Sequence, residues 1–320
     1  MSSAPPSNLY APPMTRLSAV SIVLLVVGLL GCDATAPAPE SQIVVEAYLQ
    51  GGAPMPPIRL TRSVETDDAY VPSEAAVRDA TVEVRRRAGE ETVEETIAFT
   101  EEEPGLYRPV TPVRVRPRTT YELSVRTPDG AQVTATTTVP DTISIAEAEN
   151  TDVVYQGPDQ PTFTITTPQS DRAQQDVLVL TTTSLLDFGR PESQLREELT
   201  PFYAEDYDPD EDSLDVFRTT SSGVLNEANF DRDAAGRITT RLPWISVAFY
   251  GPNEAAIHVI DNNLFDLIRS QQAQSPGGPG GGLGPGEIPN VIEHVNGGTG
   301  VFGSYVRATQ QLQVRRPERP

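Results

Sequence analysis

The sequence predicts a mainly β protein. An antiparallel β-sandwich of immunoglobulin-like or transthyretin-like kind is expected over residues 42–140, followed by a second, sandwich-like β-rich domain over 141–320 with one inserted helix. Three observations carry this expectation. Short runs of Val, Ile, Thr and Tyr alternate with polar residues and are separated by Gly, Pro, Asp and Asn, the pattern of strands at regular spacing. Helical periodicity shows clearly in one place only, near residue 264. About 290 of the 320 residues follow a short apolar leader, more than one domain of usual size.

In the first domain the strands are "QIVVEAYLQ", "PIRLTRS", "ATVEVRRR", "ETIAF", "TYELSVRT" and "QVTATTTV". In the third of these, Val82 and Val84 face inward while Glu83 and Arg85 face solvent, and the basic triplet at 85–87 reads as an exposed strand end. "TPDGAQ" at 127–132 reads as a hairpin turn, because Asp-Gly supplies the positive φ angles of such turns. A boundary falls near Pro140. Beyond it, "ISIAEAE", "PTFTITT", "QDVLVLTTTS", "WISVAFYG" and a final "GSYVRATQQLQV" read as strands. The helix is expected over about 261–273, capped by Asp261 or Asn262, with Leu264, Phe265, Leu267 and Ile268 on one face. "SPGGPGGGLGPG" at 275–286 ends it and predicts a mobile loop.

The apolar run at 17–31 is shorter than the roughly 20 residues that span a bilayer as a helix. With Arg16 before it and Gly31 at its end, it has the layout of an export signal over residues 1–31. The first 13 residues carry no charge, and translation is expected to begin at Met14. The next residue after the run, Cys32, is the one cysteine of the chain. A core thiol, a reactive thiol and a lipid attachment site compete for it. A core cysteine has no reason to stand at the exit of an export signal. Leu29-Leu30-Gly31-Cys32 resembles the lipobox of bacterial lipoproteins, with Leu30 larger than is usual there. Lipid attachment at Cys32 is therefore the expectation, with 32–41 as a tether whose small, proline-bearing composition favours an extended chain. One acyl chain holds a protein only marginally, whereas several anchor it stably.

The formal charge is −21, with 45 acidic residues against 24 basic ones, all of them arginine. Such a surface opposes nucleic acid, whose binding rests on cationic side chains. It also fits adaptation to concentrated salt, although a GC-rich genome equally favours arginine over lysine. With one cysteine no intrachain disulfide is available, so each part must hold together by its apolar core.

Chemical motifs are few. Gly298, Gly300 and Gly303 have the spacing of a dinucleotide loop but lead into β alternation, so a tight turn and close backbone approach are expected instead. Asp206, Asp208, Asp210 and Asp212 alternate, as carboxylates for Ca²⁺ do, yet Glu211 and Phe217 stand where an EF-hand loop requires Gly and Glu. A solvated loop is the plain reading and a Ca²⁺ site of other geometry the alternative. His258 and His294 are the two histidines, and neither has zinc-ligand spacing. A Ser-His-Asp set could be assembled from remote parts, but no G-x-S-x-G elbow supports it, and lysine chemistry is excluded. No enzyme activity and no cofactor are expected.

The lipobox, "IVVEAYLQ", "GLYRP" with "TTYELSVRTPDG", "DNNLFDLIRSQQ" and "IPNVIEHVNGGTGVFGSY" together resemble the Bacteroidetes-type outer-membrane lipoproteins of the domain of unknown function 4249 family. The resemblance covers nearly all of the chain after the leader. It implies two β-rich domains, a lipid anchor in the outer membrane facing the periplasm or the cell surface, and a non-enzymatic accessory or ligand-handling role beside a TonB-dependent receptor. The alternative is a structural or adhesive surface protein. No catalytic residues are carried over.

Overall fold

The computed structural model describes residues 41–64, 70–89, 92–166, 177–226, 229–274, 292 and 294–318. Strand β1 (Ile43–Gln50) sets the pattern: Ile43, Val45, Ala47 and Leu49 are buried, and the residues between them turn outward. It pairs antiparallel with β2 (Ile58–Arg62), and the row continues through β5 (Leu106–Pro109), β4 (Val93–Glu103), β3 (Thr81–Arg87), β6 (Thr120–Arg126) and β7 (Gln132–Thr138) to β15 (Val295–Asn296). The other side of β1 is taken by the first part of β16 (Thr299–Arg315), in parallel, from Val44 opposite Thr299 to Gln50 opposite Tyr305. Only residues 297 and 298 separate β15 from β16, so the row returns to its own beginning and the sheet curls round a core. The row ends at β15, which covers β7 at Thr134 and Ala135. Two buried tyrosines use backbone partners: the Tyr107 hydroxyl donates to the Val77 carbonyl at 2.8 Å, and the Tyr121 hydroxyl accepts from the Arg116 amide at 2.8 Å.

The second part of β16 pairs antiparallel with β14 (Gly251–Ile260), followed by β11 (Val177–Ser184) and β12 (Thr219–Asn226). Strand β9 (Asp152–Val154) lies parallel to the end of β16. A separate sheet of β13 (Ile238–Arg241), β10 (Thr162–Thr166) and β8 (Ser144–Glu149) contributes Phe163, Ile165 and Ile238 to the same core that holds Val45, Leu123, Leu180 and Ile257. The protein is mainly β, as expected, and Ser41–Pro320 is one compact unit. Pro140 thus marks a change of strand partners, with β16 shared by the strands of 42–140 and those of 141–320.

The helix α3 (Asn262–Gln274; α1 and α2 are given below) falls where the sequence places it, with Asp261 as its cap: the Leu264 amide donates to Asp261 Oδ1 at 2.9 Å. The loop at 275–286, the tether at 33–41, the leader and Cys32 lie outside the described residues.

Four local readings are corrected. Arg86 is not an exposed strand end: alternation turns it inward, 6% exposed, where it pairs with Glu94 at 3.0 Å and Glu95 at 2.7 Å. Burial opposes its charge, but the two carboxylates hold the guanidinium above its ordinary pKa. "WISVAFYG" is not a strand; Trp244–Ser246 is a 3₁₀ turn and β14 begins at Gly251. There Val247, Ala248, Phe249 and Tyr250 are buried in succession, because the chain passes between two apolar clusters and fills both. Two short helices, α1 (Glu192–Glu197) and α2 (Pro201–Asp206), join the expected one. They pack Leu195, Leu199 and Tyr203 against Phe249, with Tyr203 edge-on to Phe217 at 5.3 Å. In the 127–132 hairpin only Gly130 takes a positive φ, +90°, after Pro128 and Asp129, a type I turn closed by a glycine bulge.

Candidate functional site

The described polar and apolar groups converge most clearly where α3 crosses β16. The Asp261 amide donates to the Ser304 carbonyl at 2.9 Å. The Asp261 carboxylate accepts from the Leu264 amide, from the Thr137 hydroxyl and, at 3.3 Å, from the Ser304 hydroxyl. Thr137 and Ser304 hydroxyls are themselves 2.6 Å apart. Burial pushes the Asp261 carboxyl above the usual carboxylate range, and these hydrogen bonds work against that rise. The Asn263 side-chain amide donates to the Thr136 and Phe302 carbonyls, both at 2.8 Å. Asp261 and Asn263 therefore fasten the start of the helix to β7 and β16 at once.

The glycines of "GGTGVFG" serve this crossing. A Cβ on Gly300, where φ is +97°, would clash with the Val45 carbonyl oxygen, far closer than van der Waals contact allows. One on Gly303 would meet Leu264 Cδ2 at 2.6 Å. They permit close approach of β1 and α3 to β16, and Gly300 and Gly303 lie within a strand rather than ahead of a helix.

Between α3 and the start of β16 lies a cavity of about 160 Å³. Leu267, Ile292, Val301 and Phe302 form its apolar wall; Asn263, Thr299 and His294 are its polar members. His294 Nε2 stands 2.7 Å from Asp266 Oδ2, the imidazole side chain 35% exposed and the carboxylate 17%. A carboxylate oxygen accepts, so Nε2 carries a hydrogen; in the neutral form of the ring Nδ1 is then an acceptor.

The four aspartates singled out by sequence do not join this site. Asp206 ends α2, Asp208 Oδ1 accepts from the Asp210 amide at 2.9 Å, and Asp212 Oδ2 accepts from the Asp208 amide at 3.0 Å. Their described hydrogen bonds shape a turn. Among the described residues no three His, Cys, Asp or Glu side chains form a group that could hold a metal ion. His258 sits in β14 with Nε2 2.8 Å from the Thr181 hydroxyl. Burial, helped by the charge of Arg307, lowers its pKa to about 4, so it is neutral at pH 7. Sequence reasoning missed the Asp266–His294 pair, whose members are 28 residues apart, and the Asp261 network; the Asx cap was the only local signal.

Among solved structures, similarity is weak. Trypsin-activated α-2-macroglobulin from Escherichia coli aligns at 11% identity over 71% of this chain and 15% of its own length, with a TM-score of 0.20. The three N-terminal domains of the bacteriophage RB49 Highly Immunogenic Outer Capsid protein align at 10% identity, 87% and 71% coverage and a TM-score of 0.23. Murine CEACAM1b gives 10%, 86% and 100%, with a TM-score of 0.17. No curated protein matches the chain. A family profile with the description "Domain of unknown function (DUF4249)" matches residues 33–311, beginning directly after Cys32. That match takes in every strand and helix described above except the last residues of β16, and the chain belongs to the DUF4249 family.

Proposed function

We propose that this protein is an outer-membrane lipoprotein, acylated on Cys32, that serves as a non-enzymatic accessory or ligand-handling partner of a TonB-dependent receptor. The observation that carries the reading is the order along the chain: apolar leader, Cys32, proline-bearing tether, then a body whose first strand begins at Ile43. The family profile starts at residue 33, in keeping with a leader that ends at Gly31. Ligand handling is supported by the apolar cavity beside α3. The acidic surface supports a partner other than nucleic acid.

Mass spectrometry of the N-terminal peptide tests the anchor: a diacylglyceryl thioether and a new N-terminus at Cys32 are expected, and an unmodified thiol or a retained leader overturns it. Crosslinking in native membranes tests the partner, the expected neighbour being an outer-membrane receptor. A structural or adhesive surface role is favoured by Phe202 and Val216, apolar side chains 50% and 62% exposed near α2. In that case a deletion strain takes up nutrients normally and loses adhesion. Protease shaving of intact cells distinguishes the cell-surface from the periplasmic face.

A further inference from the structure

The cavity between α3 and β16 has the volume and the polar groups of a binding site for one small ring. At about 160 Å³ it compares with the roughly 150 Å³ apolar cavity, lined by Leu, Ile and Phe, that takes up benzene in another protein. Its wall of Leu267, Ile292, Val301 and Phe302 gives a ring apolar contact on several sides.

The polar members decide what the ring must carry. The Asn263 side-chain nitrogen is committed to the Thr136 and Phe302 carbonyls, which leaves its oxygen as the group to offer. In the neutral form of His294, the hydrogen shared with Asp266 sits on Nε2 and Nδ1 is an acceptor. The Asn263 oxygen and the His294 acceptor both ask for a donor. An anionic ligand would meet the Asp266 carboxylate beside the imidazole, within a chain of net charge −21, so a carboxylate on the ring is disfavoured.

We infer that this cavity binds a neutral, single-ring aromatic group bearing a hydrogen-bond donor, of which phenol is the simplest representative. The inference deepens the ligand-handling part of the proposed function and rests on it for its biological meaning. The two fail separately: an unmodified Cys32 removes the anchor without touching the cavity, and loss of ring binding leaves the anchor intact.

The test uses the full chain labelled with ¹³C-histidine. It has two imidazole signals, from His258 and His294, which His294→Gln tells apart. Phenol is expected to shift the His294 signal saturably while His258 stays in place. Benzoate at equal concentration is expected to bind at least about tenfold more weakly. Leu267→Trp, which fills the cavity from the helix, should weaken phenol binding by about tenfold or more with the thermal unfolding midpoint retained. Ile292→Trp, at the exposed rim, provides a second blocking variant should the helix substitution disturb folding. The inference is overturned by an unsaturable or absent phenol shift, by benzoate binding equal to phenol, or by undiminished phenol binding in a folded blocking variant.

Discussion

Asp261 and Ser304 are hydrogen-bonded to each other twice, amide to carbonyl at 2.9 Å and hydroxyl to carboxylate at 3.3 Å. The pair welds the first turn of α3 to β16, with Thr137 of β7 as the third member. Asp261→Ala removes a helix cap and leaves the buried Thr137–Ser304 hydroxyl pair one acceptor short. A loss of about 2–4 kcal/mol is expected, from about 1 for the cap and 1–3 for unsatisfied partners. Urea unfolding at neutral pH measures it; a loss below that of an ordinary surface substitution would show the network to be idle.

Acid should weaken the fold through His258. Its pKa is 6.5 when unfolded and about 4 when folded, so between those values the unfolded chain binds the extra proton. The contribution is complete above pH 6.5 and is lost as pH falls through about 4, at most about 3 kcal/mol. Asp261 acts in the opposite sense: its raised folded pKa means stability falls as pH rises from the unfolded carboxylate value through the folded one. Urea midpoints at pH 7 and 4.5, compared between the wild type and His258→Gln, isolate the histidine, and the variant is expected to have the flatter profile.

Gly300→Ala should be far more damaging than Gly130→Ala. Both residues have positive φ, +97° and +90°. At Gly130 nothing lies within 4 Å of the added methyl, so only backbone strain of about 1–2 kcal/mol is expected. At Gly300 the methyl would strike the backbone of Val45 and force β1 from β16. We expect more than about 3 kcal/mol or failure to fold, read by thermal unfolding of the two variants side by side.

Arg86 offers an asymmetric prediction. Its side chain is 7% exposed, whereas Glu94 and Glu95 are 41% and 38% exposed. Removal of the arginine leaves two partly exposed glutamates, of which only Glu95 Oε2 is a buried oxygen losing its ion-pair partner. Removal of both carboxylates leaves a buried cation. Glu94→Ala/Glu95→Ala should therefore cost about 3–5 kcal/mol and Arg86→Met about 1–2 kcal/mol or less. Chemical denaturation of the two variants decides the order.

Much of this architecture is readable in the residues themselves. In β1, β3, β6 and β7 every second residue is buried, and all of these are apolar except Arg86 and Thr137, so periodicity and structure coincide. The same alternation places Arg86 inside, though three consecutive arginines suggest otherwise. Residues 247–250 misled because a segment between two cores has no polar face. Helices α1 and α2 have six residues each, too few for a 3.6-residue period to declare itself. For the candidate site, the Asx cap of α3 and the close approach of the glycines were legible. The meeting of His294 with Asp266, and of Asp261 with Thr137, depends on chain crossings that no local pattern encodes.

The parallel pairing of β1 with β16 joins residues about as distant as the chain permits: Gln50 and the Tyr305 hydroxyl that bonds to it are separated by 255 positions. A chain emerging in order can pair β1 with β2 and β3 with β4 early, yet the other margin of β1 waits for residues 299–305. Such nonlocal zippering makes maturation slow and leaves an unpaired margin along Ile43–Gln50 until Thr299–Tyr305 docks.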